Sequence, residues 1–198
     1  MRRLIIMLCA AFMFTPMLSA QVSNASGNSE DSQVGAQGTS SFAFNVMYNI
    51  PSADADHSYG LTFEALGGKY VAKNLSIEGG LGVYPYGYVY TDMEFSSTAL
   101  GIPVNIGYRI PFTQSGLTGL RFYTGPKLTL TVAGKGEMMG KKYKISDLED
   151  FKRFNAYWTF GANFDIYMIG ITAEYMIFLG EKTNFSSGAF CLGVTFRI

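Results

Sequence analysis

Charge is scarce in this chain of 198 residues: 15% are Asp, Glu, Lys or Arg, against roughly 25% in an ordinary soluble domain. The formal net charge is zero, so the sequence lacks the basic footprint that a nucleic-acid partner requires. Histidine and tryptophan each occur once, which leaves a His-dependent catalytic site one candidate base. No stretch is long and unbroken enough for a membrane helix, and no amphipathic helix stands out. What the chain does have is 23 Gly, 16 Phe, 13 Tyr and 48% hydrophobic residues. That is too apolar for a disordered segment.

Arg2 and Arg3 precede an apolar stretch from Leu4 to Leu18, followed by Ser19, Ala20 and Gln21. This is the charged, apolar, small-residue order of a secretory signal peptide, and the stretch is short for a hydrocarbon core of ~30 Å. Residues 1–20 are therefore expected to be removed, with cleavage after Ala20. Cys9 does not suit lipoprotein acylation, because bulky Leu8 stands before it. Export leaves Cys191 as the one cysteine, which excludes an internal disulfide. Residues 21–40 are nearly all small or polar and are read as a flexible segment. One domain, 41–198, follows.

Within that domain the dominant signal has period two. Phe154, Ala156, Trp158, Phe160, Ala162, Phe164 and Ile166 share one phase, while Asn155, Tyr157, Thr159, Gly161, Asn163 and Asp165 share the other. Eight such segments are expected at about 41–50, 58–70, 75–88, 97–110, 119–133, 154–166, 169–178 and 188–197. The run from Ala156 to Leu179 is not a membrane helix, since Asn163, Asp165 and Glu174 interrupt it in the polar phase. Met168, Ile169 and Gly170 mark a tight reversal within it. Gaps after segments one, three, five and seven are long, those after two and six short, and that after four intermediate. Long loops on one side and short turns on the other, with an even strand count, predict an outer-membrane barrel.

Alternation alone does not say whether the apolar phase faces lipid, as in a membrane barrel, or a ligand cavity, as in a lipocalin-like carrier. The polar phase is mostly Gly, Ala, Ser, Thr, Asn and Tyr, which suits a cramped lumen better than a hydrated exterior. Placing it inside gives an inward set of Glu64, Glu78, Arg109, Arg121, Lys127, Asp165 and Glu174. These four acids and three bases are expected to pair across the lumen, together with hydroxyls such as those of Tyr84 and Tyr123, as a polar plug. The tyrosines at 84, 86, 88 and 90 are also expected to contribute to an interfacial girdle.

Catalytic, cofactor and metal sites are not expected. His57 beside Asp54 and Asp56 reads as a hydrated turn, and it lacks a closed ligand set. The stretch GKGEMMGKK (134–142) lacks phosphate-loop spacing and reads as a solvated loop tip. Cys191 lies in the inward phase as a small buried thiol. The mixed-charge run from Lys141 to Arg153 suits a short amphipathic turn, solvated or in contact with surface sugars or a partner.

GKYVAKNLSIEGGLGVYPY (68–86), GIPVNIGYRIPF, FYTGPKL, DFKRFNAYWTFGANFDI, ITAEYMIFLG and LGVTFRI occur in an order that resembles the Bacteroidetes outer-membrane beta-barrel domain family, including PorT-like proteins. The resemblance spans most of 41–198. It implies a barrel folded by the barrel-assembly machinery and admits an accessory role in protein secretion. Such barrels usually close on an aromatic residue; here Phe196 stands third from the end, before Arg197 and Ile198.

The expectation is an all-β, eight-stranded, antiparallel up-and-down transmembrane barrel in the outer membrane, surrounded by lipid. It would be a non-enzymatic envelope protein with a structural or binding role, its exposed loops meeting an envelope protein or a surface glycan. The alternatives are the PorT-like accessory role and a soluble periplasmic carrier of an apolar ligand.

Overall fold

A computed structural model describes residues 35–51, 57–90, 93–113, 117–138, 141–144, 153–180 and 188–198. The expected signal peptide lies outside them. Among the described residues are nine antiparallel strands: β1 (Ser40–Pro51), β2 (His57–Ala72), β3 (Leu75–Tyr90), β4 (Met93–Pro111), β5 (Thr118–Met138), β6 (Lys141–Lys144), β7 (Phe154–Ile166), β8 (Ile169–Phe178) and β9 (Ala189–Arg197). Eight of them close a ring in the order β1, β2, β3, β4, β5, β7, β8, β9. The last seam joins β9 to β1, from Ala43 opposite Arg197 to Pro51 opposite Ala189. Reciprocal bonds between Phe42 and Ile198, each 2.9 Å, finish it. No strand of the ring is left with an open edge, which backbone in hydrocarbon demands.

The alternation now has a direction. Glu64, Glu78, Arg121, Lys127, Asp165 and Glu174 are each 1% exposed, whereas Leu81 and Ile102 are more than half exposed. Polar residues line the lumen and Phe, Ile, Leu and Val form the outer wall, the reverse of what a soluble carrier needs. That alternative falls on this point. Trp158 shows how polar atoms survive on the wall: its indole N–H donates to the Thr124 hydroxyl at 2.8 Å, which donates to the Thr159 carbonyl at 2.8 Å.

Four local features differ from the sequence reading. First, β3, β4 and β5 run past their expected ends, pairing out to Tyr90 opposite Met93 and Met93 opposite Met138. β6 pairs with β5 from Lys135 opposite Lys144 to Met138 opposite Lys141. The expected long loop after the third strand, the loop tip in 134–142 and part of the amphipathic turn from 141 are thus largely strand. Outward residues there become polar (Glu94, Ser96, Lys135, Glu137), so apolar alternation stops while the ladder continues. Second, the β7–β8 turn is Tyr167 with Met168, in the gap between the expected segments 154–166 and 169–178, with Tyr167 at φ 57°, but Gly170, expected to mark the reversal, lies inside β8. Third, Gly35–Ser40, assigned by composition to the polar segment, is tied to the β2–β3 turn. The Gly35 carbonyl accepts from Asn74 N–H, and Gly38 and Thr39 bond to Tyr70. Fourth, Tyr84 and Tyr88 are buried and Tyr86 shares their inward phase, so they do not form an outer girdle. They continue the phase of Ser76 and Glu78. The Tyr90 side chain lies outside the described set.

Candidate functional site

The lumen is the most chemically distinctive part of the molecule, and its charges form two belts. In the middle belt Lys127 on β5 reaches across to Glu64 on β2 and Glu174 on β8. These strands stand three, two and three places apart around the ring, so the contacts bridge the bore. The Lys127 ammonium lies 2.8 Å from Glu64 Oε1 and 2.5 Å from Glu174 Oε1. Remaining carboxylate capacity is taken up by Asn45 and Tyr84 on Glu64, at 3.0 and 2.9 Å, and by Tyr123 on Glu174, at 3.1 Å. The ammonium also sits 5.3 Å from the Tyr84 ring centroid. Two glutamates in close quarters would repel; one lysine between them makes the arrangement tolerable.

Toward the end that holds the short turns, a second belt centres on Glu78. Its carboxylate takes Arg121 at 2.9 Å and Arg197 at 2.6 Å, and the Ser41 hydroxyl donates to it at 2.9 Å. Arg109 approaches Asp165 at 3.4 Å. This belt is less completely paired by protein: polar atoms of Tyr70, Arg109, Arg121, Asp165 and Arg197 have no protein hydrogen-bond partner. Between the belts, Asn45 accepts from Thr195 at 2.8 Å, and Thr195 meets Thr172, which accepts from Asn163 at 2.7 Å.

All seven inward charges named from the sequence lie in these belts. Arg197 was missed. It occupies the inward phase of β9 with Ala189, Cys191 and Thr195, and it raises the lumen set to four bases against four acids. The phase of that strand was the available signal. Glycines make room for the large heads: a Cβ on Gly107 would collide with the Arg121 guanidinium, and one on Gly161 with the Tyr123 ring.

Above the middle belt, Cys191 packs with Met47, Tyr157, Met176 and Ala189 as a small apolar cap. The side chain of His57, with Asp54 and Asp56, lies outside the described residues. Among the described residues no group of three or more His, Cys, Asp or Glu could hold a metal ion.

A closed antiparallel ring with a lipid-facing apolar wall and a charge-paired bore defines an outer-membrane β-barrel. The profile of the outer membrane protein beta-barrel domain family matches residues 8–197. The chain belongs to that family, and its place is the outer membrane. Among solved structures it is similar to Ail, the attachment invasion locus protein of Yersinia pestis (13% identity, TM-score 0.44, covering 80% of this chain and 97% of that one). It is also similar to Neisserial surface protein A (14%, 0.48, 80% and 96%) and to a de novo designed transmembrane β-barrel (13%, 0.39, 80% and 95%). No curated protein matches it significantly.

Proposed function

We propose that this protein is a non-conducting, non-catalytic outer-membrane barrel whose lumen is closed by its own charges and whose work is done by its outer loops, in a structural or binding role. The observation that carries this reading is the Lys127 ammonium held between Glu64 and Glu174 across the bore. An eight-stranded bore is narrow enough for side chains to fill, and this bridge fills it with a fixed, charge-paired contact. Planar-bilayer recording tests it. The wild-type protein gives no resolved conductance steps, and the double variant Lys127→Ala/Arg121→Ala, which cuts both belts, opens a conducting path or unfolds at lower temperature. A double variant unchanged in both respects removes the plug from consideration.

Resemblance of GKYVAKNLSIEGGLGVYPY and the later segments to Bacteroidetes barrels favours a second, narrower reading, a PorT-like accessory role in secretion. It requires a stable complex with other envelope proteins after detergent extraction.

A further inference from the structure

The outer face of the ring carries a feature that the lumen does not explain. A cavity of about 790 Å³ opens where β4 and β5 leave the apolar band. On β4 the outward residues change from Ile102 and Leu100 to Thr98 and Ser96. On β5 they change from Leu130 and Val132 to Lys135, with a register shift between Thr98 and Ala99. Such an irregularity bends a ladder. Tyr48, Tyr59, Leu61 and Val132 supply an apolar wall, and Ser96 and Thr98 supply hydroxyls.

Three cations line the same cavity: Lys135 from β5, Lys144 from β6, and Arg153, whose carbonyl accepts the Thr131 N–H at 2.8 Å. Lys135 and Lys144 are direct cross-strand partners. Like charges set opposite each other on a ladder destabilise it unless something anionic lies between them. The acids Glu94 and Glu137 stand opposite each other two residues further along, with Lys142 of β6 facing Glu137, and neither lines the cavity.

We propose that this cavity binds the phosphorylated head of an acylated glycolipid of the outer leaflet. Lys135, Lys144 and Arg153 hold the phosphate, and Tyr48, Tyr59, Leu61 and Val132 bed the first acyl segments. The position decides the occupant: the site straddles the change from apolar to polar wall, where a lipid's chain and head meet. The inference does not depend on whether the lumen conducts.

The test titrates fluorescent diphosphoryl lipid A, and its fully dephosphorylated form, into the folded full-length mature protein in zwitterionic detergent. The phosphorylated probe binds at least about tenfold tighter, in line with the attraction of a few juxtamembrane bases for anionic lipid. Lys135→Gln/Lys144→Gln/Arg153→Gln abolishes that preference, whereas Lys141→Gln/Lys142→Gln, on β6 but outside the cavity, leaves it intact. Leu61→Asn weakens the lipid and not a deacylated phosphosugar. Equal binding of the two lipid forms, equal loss in both basic-residue variants, or displacement by inorganic phosphate as effectively as by the lipid overturns the proposal. Should the triple variant fail to fold, Lys144→Gln alone, outside the closed ring, and the dephosphorylated probe on wild type still decide.

Discussion

Lys127 bears the most concentrated electrostatic responsibility in the molecule. It is the one base in the middle belt and meets both glutamates there. Lys127→Met leaves Glu64 and Glu174 buried with no cation, a loss of about 3–5 kcal/mol by analogy with other broken buried pairs. Thermal unfolding in detergent should show a markedly lower midpoint. The triple variant Lys127→Met/Glu64→Gln/Glu174→Gln removes all three charges and should recover most of it. A Lys127→Met midpoint equal to wild type would mean that the bridge contributes nothing to stability. These inward charges were legible in the sequence because period two assigns each a face. Their partners were not: pairing Lys127 with Glu174 depends on curvature closing the sheet, and no spacing along the chain encodes a contact across the bore.

The hairpins divide by the chemistry of their turns. The β2–β3 turn places Asn74 at φ 64°, a conformation that asparagine tolerates well. The β7–β8 turn puts Tyr167 at φ 57°, where a bulky side chain is strained. With positive φ at Tyr167 and not at Met168, the first position of this two-residue hairpin favours Gly, so Tyr167→Gly should stabilise the barrel by up to about 1 kcal/mol. The rise in unfolding midpoint is measurable in the same detergent, where loss of a lipid anchor matters least. An unchanged or lowered midpoint would show that the ring's contacts outweigh the backbone strain. Strand spacing left residues 167–168 for this turn, as observed, but Gly170 is not its turn residue. Gly170 instead clears space in β8 for Asn163 and Asp165. The outer extensions of β3, β4 and β5 escaped notice for a related reason: in water a ladder persists without an apolar face.

The whole ring should behave as one cooperative object. Every described strand of it is bonded on both sides, and Cys191 sits at 0% exposure inside the ring. Two readouts should therefore change together on boiling in detergent. The unboiled protein produced without residues 1–20 migrates as a compact band and resists a bulky maleimide; boiled, it shifts in mobility and labels at Cys191. Labelling of the unboiled compact band would show that the lumen is open to solutes from one end.

What the sequence determined by itself was the alternation, and with it the strand type, the approximate strand count, the lipid-facing wall and the identity of seven lumen charges. These follow from local facts, since a side chain's face is set by its parity along a strand. Only the tertiary structure decided which charges meet: that Lys127 bridges Glu64 and Glu174, and that Arg197 shares Glu78 with Arg121. It also brought Lys135, Lys144 and Arg153 to one cavity on the outer wall. Each of these requires the sheet to have closed, because ring order and stagger bring together residues that the chain keeps far apart.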